Sequence, residues 1–475
     1  MIQCIRFDLK FKGVFMKLVK LSLAAALAAG SFSALNAISL EDAIKNVDFS
    51  GQLRYRYDTG RWDGSKNNAG ISAQGNIGGQ QDHKIRARLG AKADIGDGFK
   101  VFGQVQYGPD NNGGYGAGST TATNRTFDLR QAYLQYDLAD YATSFTWGKQ
   151  EFTSIWTDDI SSMSARATYT GIEGLTLTAF AVDSFELDSD RPFYDIDDYT
   201  NATTTANSVG DFLFRQNFYG AAAIGSYDLG GSSLDTQLWL GYLNKRAFFY
   251  ALDVVYGLDI DQDLNYALQL SYLGNSVDSA LKDKVHSSNL GNMDPESRLG
   301  TTANGANETL IANGNLINLM GTLKGYGFDG SLGGVLYGKK GKFTINRLDD
   351  SFLAGGREIF YVKGSNIMNS FGQNTFGYVK AGYTLPSDLR LGVQFVYGST
   401  QAGDRNIGNA EYYGGGDKME AVVEASYNYS KNLNFLLWYS YLDWKSDKGV
   451  ESANGAYEDA KNTKDTVRFQ AIYKF

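Results

Sequence analysis

At Leu264 the chain reads LNYALQLSY, which puts Leu264, Tyr266, Leu268, Leu270 and Tyr272 on one face and Asn265, Ala267, Gln269 and Ser271 on the other. Side chains alternate faces with a period of two along a β-strand, so the segment is an amphipathic strand. The same division separates Met419, Ala421, Val423, Ala425 and Tyr427 from Lys418, Glu420, Glu424 and Ser426. It recurs with Leu389, Leu391, Val393, Phe395 and Tyr397 against Arg390 and Gln394. Alternation alone does not say whether the apolar face meets lipid or a soluble sandwich core.

The spacing of the connections separates those two cases. Very short turns fall at Gly96-Asp97-Gly98, Ala139-Asp140, Glu173-Gly174, Gly230 to Ser233, Asp261 to Asp263, Phe328-Asp329-Gly330, Pro386 to Asp388 and Ser430 to Asn432. Between them run longer polar connections rich in Gly, Asn, Ser and Asp, about Thr59 to Asp82, Pro109 to Arg125, Glu186 to Asp211, Ser276 to Thr309, Lys339 to Asn374, Thr400 to Asp417 and Lys445 to Lys464. A third outer connection falls at about Glu151 to Ala165, and an unusually tight one at Lys245-Arg246. Short periplasmic turns alternating with long extracellular loops are the mark of an outer-membrane barrel. Eight turns and nine loops join eighteen strands, an even number that puts both ends of the barrel on the periplasmic side. The expected fold is an all-β transmembrane antiparallel barrel of about eighteen strands, with the segment Arg166 to Ile172 its weakest strand.

The start of the chain divides further. Met16 opens MKLVKLSLAAALAAGSFSALNA, with Lys17 and Lys20 before an apolar run and small residues ending at Ala37, the pattern of a secretory signal peptide. The uncharged stretch from Leu21 to Ala37 is short for a helix that must cross about 30 Å of hydrocarbon. Residues 1–15 then read as an upstream extension or mis-assigned start, 16–37 as the signal peptide, 38–46 as a short periplasmic segment and 47–475 as one barrel. The only cysteine, Cys4, falls before Met16, so the mature chain is expected to have neither disulfides nor thiolate metal sites. Removing residues 1–37 takes away five basic residues and one acidic one, leaving 39 Lys and Arg against 51 Asp and Glu, a net charge of −12. That balance excludes nucleic acid as an expected partner.

On the apolar faces Tyr55, Tyr57, Tyr107, Tyr272, Tyr397 and Tyr439 lie near strand ends, where an amphipathic ring suits the headgroup level. The last strand, DTVRFQAIYKF, places Val467, Phe469, Ala471, Tyr473 and Phe475 on one face and ends on Phe, like the C-terminal signature by which outer-membrane barrels are recognised for assembly. Several runs resemble the major outer membrane protein porins of Campylobacter and its relatives: MKLVKLSL with AALAAG, GQLRYRYDTG from Gly51, QDHK from Gln81, GKQ with IWTD from Gly148 to Asp158, GLTLTAFAVDSF from Gly174, YGAAAIGSYDL from Tyr219, AFFYALD from Ala247, SYLGNS from Ser271, LAGGREIFY from Leu353 and FGYVKAGYT from Phe376. The loops match less well, including the region beyond Asp158 and the acidic loop after Phe185. The resemblance implies an eighteen-stranded homotrimeric porin of the bacterial outer membrane whose third loop folds into the lumen, with calcium at the constriction associated with the family.

Two sets of residues are candidates for a pore. On the first two strands Arg54, Arg56, Lys84, Arg86, Arg88 and Lys92 share the polar face, while Leu53, Tyr55, Ile85, Ala87 and Leu89 take the other. A cation at the lipid midplane costs about 2–4 kcal/mol, so these six are expected to line the lumen as a basic wall. If the loop at Glu151 to Ala165 folds inward, as the resemblance implies, Trp156, Asp158 and Asp159 sit at the constriction and set carboxylates across from that wall. Calcium takes six to eight oxygen ligands. Asp158 and Asp159 are its first candidates, with Asp188, Asp190, Asp195, Asp197, Asp198, Asp349 and Asp350 further sources, although no segment has the spacing of a compact calcium loop.

The expected function is passive diffusion of ions and small hydrophilic solutes, weakly cation-selective and with no required cofactor. An adhesin or surface-antigen role for the loops is the alternative. A barrel hydrolase would need a histidine beside a serine, and only His83 and His286 exist. An energised transporter would need a plug before the first strand, where Ile38 to Asn46 offer at most a short helix capped by Ser39.

Overall fold

The computed structural model describes residues 47–64, 80–108, 114–116, 127–185, 216–282, 309, 311–348, 355–362, 364–402, 415–451 and 457–475. The leader, the segment 38–46 and most of the longer outer connections lie outside the described residues.

The chain opens with β1 (Val47–Gly64), β2 (Gln80–Gly96), β3 (Phe99–Tyr107) and the three-residue β4 (Gly114–Gly116). Next come β5 (Asp128–Leu138), β6 (Thr143–Ser154), β7 (Thr157–Ile172), β8 (Leu175–Phe185), β9 (Phe218–Asp228) and β10 (Ser232–Leu243). They are followed by β11 (Ala247–Asp259), β12 (Leu264–Val277), β13 (Asn315–Gly325), β14 (Phe328–Ile345) and β15 (Asn369–Thr384). The last are β16 (Leu389–Gln401), β17 (Gly416–Asn428), β18 (Leu433–Glu451) and β19 (Tyr457–Lys474). Each long strand pairs antiparallel with its sequence neighbours, and β1 pairs with both β2 and β19. β4 adds only to the Asp82–Lys84 end of β2, beyond the part that β3 covers, so the closed ring has eighteen staves. Arg166 to Ile172, the weakest of the expected strands, is the second half of β7.

Closure at the seam is complete to the last residue. The Gly51 amide donates to the Phe475 carbonyl at 2.9 Å and the Phe475 amide donates back to Gly51 at 3.1 Å. The Phe475 ring lies over the bare backbone of Gly51, where a Cβ would come within 2.2 Å of it. With no free edge, every stave can satisfy its main-chain groups within the sheet, which hydrocarbon demands.

Burial is inverted relative to a soluble protein. On β12 Leu268 and Leu270 are 42% and 45% exposed, whereas Gln269 and Ser271, which alternate with them, are 8% and 7% exposed. Leu238, Leu252, Leu319, Leu391, Val393 and Leu437 continue the exposed apolar band around the barrel. Tyrosines border it at both rims: Tyr141, Tyr227, Tyr326, Tyr383 and Tyr429 near the short turns, and Tyr219, Tyr242 and Tyr397 nearer the other end. An outward apolar band flanked by aromatic girdles is how a barrel meets a bilayer, so this chain is an outer-membrane β-barrel.

The short turns fall where the sequence places them, except that Ser232 and Ser233 already belong to β10 and the β13–β14 turn is displaced. The β13–β14 turn is Tyr326-Gly327, both at positive φ (53° and 82°), and not Phe328-Asp329-Gly330, which belong to β14. A two-residue turn of that hand needs positive φ at both positions, and Gly327 supplies one of them without strain. Asp329 is drawn into the strand by Arg390, whose Nη2 and Nε donate to it at 2.6 and 2.8 Å.

Candidate functional site

The lumen is built from the polar residues of each strand. On β1 Leu53 is 51% exposed and Arg54 6%, so the alternation turns Arg54 and Arg56 away from lipid. The β1–β2 register sets Arg54 opposite Arg86, Arg56 opposite Lys84, Gln52 opposite Arg88 and Asp48 opposite Lys92. Like charges directly opposed on one face repel unless other groups intervene. The partners are amides and a few acids. Arg86 donates to Gln52 at 3.0 Å, Arg56 to Gln470 at 2.9 Å, Lys92 to Gln135 at 3.0 Å and Arg88 to Gln106 at 2.6 Å. Asp58 takes Lys84 at 3.2 Å and a bidentate Arg468 at 2.5 and 3.0 Å. Glu151 takes Arg88 at 3.0 Å and Arg130 at 3.4 Å. Arg130 on β5 and Arg468 on β19 therefore extend the basic face on both sides. Neither stands out in the sequence, because each is the only basic residue on its strand's polar face at that height.

The third outer connection is not a loop. Glu151 to Ser154 and Thr157 to Ala165 are strand, and only Ile155 and Trp156 lie between them. Hydroxyls close this turn: Thr157 donates to the Phe152 carbonyl at 2.8 Å, and the Ser154 and Thr157 hydroxyls lie 2.9 Å apart. The hairpin tip leans over the inner wall. Trp156 is fully buried, with its ring centroid 5.8 Å from that of Phe218, 6.1 Å from Trp239 and 5.7 Å from Phe249. Those three project on the side opposite the exposed Tyr219, Leu238, Leu240 and Phe248, so Trp156 lies inside the barrel.

Beneath the tip is a cavity of about 550 Å³ whose walls include Asp158, Arg166, Asp253, Asn318 and Arg347. Asp158 is exposed at its margin. The side chain of Asp159 is not among those described. Glu151 is a hairpin carboxylate that touches the basic face.

A second segment, absent from the expectations above, enters the lumen. After β14 the chain passes Leu348, whose amide donates to the Trp156 carbonyl at 3.1 Å, and returns to β15 through Gly355 to Met368. This stretch lies on the inner faces of β14 to β18. The Tyr337 hydroxyl donates to the Ser365 carbonyl at 2.6 Å, and the Asn374 amide to the Gly364 carbonyl at 2.9 Å. Ile359 and Ile367 are fully buried, and the Phe360 ring meets that of Phe376 at 5.4 Å. Two guanidiniums flank Trp438, that of Arg357 at 5.9 Å from its ring centroid and that of Arg468 at 5.1 Å. The inward stretch and the basic face thus meet at one indole.

Among the described residues no group of three or more His, Cys, Asp or Glu side chains comes together to hold a metal ion. Asp188, Asp190, Asp195, Asp197, Asp198, Asp349 and Asp350 lie outside the described residues, as does His286. His83 shares a 2.8 Å hydrogen bond with the Tyr55 hydroxyl and packs beside Tyr57, on the lipid side of the wall. The tyrosines that hold it there face away from the lumen.

The sequence profile of the Campylobacter major outer membrane protein family matches residues 16–300 and 296–475. No curated protein sequence matches the chain. Among solved structures, OpdQ of Pseudomonas aeruginosa superposes with a TM-score of 0.56 at 13% identity, covering 91% of this chain and 98% of its own. A BenF-like porin from Pseudomonas fluorescens Pf-5 gives 0.56 at 14% identity, covering 91% and 99%. OpdK of Pseudomonas aeruginosa, solved with vanillate, gives 0.54 at 12% identity, covering 90% and 98%. At such identities the structural likeness speaks for the fold alone.

Proposed function

The chain belongs to the Campylobacter major outer membrane protein family, and from that premise we propose that it is a non-enzymatic diffusion porin passing ions and small hydrophilic solutes, with a weak preference for cations. The observation that carries this reading is the inverted barrel: a polar, charged inner face closed off from an apolar outer one. Cation preference follows from the excess of acids over bases in the mature sequence and from the pairing of the basic face. Asp58 and Glu151 each answer two of its cations, which mutes the field that would otherwise favour anions. Trp156 and the hairpin it caps narrow the lumen on one side, and Asp158 adds a carboxylate at the margin of the cavity below.

Planar bilayers under a salt gradient test the reading directly. Stepwise conductance with a reversal potential of cation-selective sign is expected. An anion-selective potential overturns the preference, and an absence of steps overturns the porin.

The porin works as a homotrimer in this proposal. Ala167, Ala179, Ala221 and Ala223 leave a shallow apolar depression on the outer face of β7 to β10, where a neighbouring barrel could pack closely. An SDS-resistant species that falls to monomer on heating is expected, and a monomer in mild detergent overturns it.

A further inference from the structure

Glu420 sits on the lumen face of β17 and is 0% exposed. A carboxylate withdrawn so completely from water needs compensation at both oxygens. It finds this in the main chain of the inward stretch. The Arg357 amide donates at 2.9 and 3.0 Å to its two oxygens, the Glu358 amide at 2.9 and 3.1 Å, and the Ile359 amide at 3.0 Å to Oε2. Ser440 on β18 adds a hydroxyl at 2.5 Å. Three consecutive amides converging on one anion form a concave nest, a geometry the backbone adopts only when the chain turns sharply before it. Gly356 makes that turn at φ +93°, and a Cβ there would lie 2.6 Å from Glu420 Oε2.

The nest also aims the two charged side chains it contains. Arg357 reaches Glu424 on β17 at 2.5 Å, and Glu358 pairs with Lys464 on β19. Glu424 in turn holds Arg390 of β16 at 2.6 Å. One anchoring carboxylate therefore fixes a row of charges running across four staves.

We propose that Glu420 is the latch that holds the Gly355 to Met368 stretch across the lumen, and that Arg357 and Glu358, fixed by it, are selectivity-determining residues of the constriction. The proposal rests on the porin reading. Charge-assisted hydrogen bonds from three amides to one carboxylate are stronger than neutral ones. Replacing that carboxylate by an amide presents an NH2 group to donors and breaks the nest without changing side-chain size.

Single-channel recording of Glu420→Gln against the parent, both in planar bilayers, tests the latch. The variant is expected to conduct at least about 1.5-fold more, with greater low-frequency noise in its open level, because the released stretch both widens and fluctuates within the lumen. Arg357→Gln with Glu358→Gln, leaving Glu420 intact, is expected to shift the reversal potential while the open level stays as quiet as the parent's. Should Glu420→Gln fail to assemble, Ser440→Ala and Gly356→Ala disturb the same nest from its other sides and are expected to raise the noise by smaller amounts. Parent-like conductance and noise in whichever of these assemble, or an unmoved reversal potential in the double variant, overturns the proposal. A parent chain that gives no steps at all defeats the porin reading instead, so the two failures are distinct.

Discussion

The two sides of this lumen solve one problem in different ways. On β1, β2, β3, β5 and β19 charged side chains meet other side chains: Arg86 with Gln52, Arg88 with Gln106 and Glu151, Asp58 with Lys84 and Arg468. On β14 to β18 the deepest charge, Glu420, is met chiefly by main-chain amides from a segment that has folded in from the rim. The first arrangement lines a wall and leaves it lined. The second builds an obstruction. Side-chain pairing tunes a field, whereas main-chain pairing positions a piece of polypeptide.

Several substitutions sharpen or break this contrast. The largest effect on selectivity is expected from Arg54→Gln, Arg86→Gln and Arg88→Gln together, which strip the wall of cations while keeping its size. The cation-to-anion permeability ratio should rise by roughly threefold, and an unchanged reversal potential would remove the wall from the conduction path. Next in size is Trp156→Ala. Truncating a fully buried aromatic costs about 3–5 kcal/mol, and here it also removes the hairpin's grip on Phe218, Trp239 and Phe249. The expected result is a lower heat-dissociation temperature together with a higher unitary conductance; an unchanged conductance would mean the tip does not narrow the pore. Glu151→Gln should act in the opposite sense to the triple variant, by leaving Arg88 and Arg130 without their carboxylate, and should lower cation preference by roughly 1.5-fold. The smallest shift is expected from Asp158→Asn with Asp159→Asn, again toward anions. If this pair outweighed Glu151→Gln in the same bilayer measurement, the hairpin's influence on ions would lie at its tip and not at its contact with the wall.

These rankings reflect what could be read from residues in order. The staves were legible because period-two alternation is a local property, visible in any nine residues such as those from Leu264 to Tyr272. Leu53 and Arg54 showed which side each faces for the same reason. The β13–β14 turn was misplaced by two residues because Asp329-Gly330 is a strong turn pair, and nothing nearby announces Arg390 as the partner that keeps Asp329 in the strand. Glu151 to Ala165 read as a loop because its apolar residues, Phe152, Ile155, Trp156, Ile160 and Met163, do not recur at every second position.

The inward stretch was harder still. Glu420 looks like any polar residue on a lumen face, and the groups that satisfy it are amides, which every residue but proline possesses. The one local hint is Gly355-Gly356 just before Arg357: adjacent glycines within a connection mark a place where the backbone must turn tightly or come close to something.

The seam between β1 and β19 has a consequence in time. Arg56 and Gln470 hydrogen-bond across it although 414 positions separate them, whereas most other neighbouring staves are joined by hairpins. Closing a longer chain segment costs more entropy, so local hairpins should form before this last contact. Until Phe475 reaches Gly51, the sheet has two raw edges able to pair with another copy. The order of events on the way to the membrane is therefore written into one strand pair, and the final phenylalanine is the point at which an aggregation-prone ribbon becomes a closed vessel.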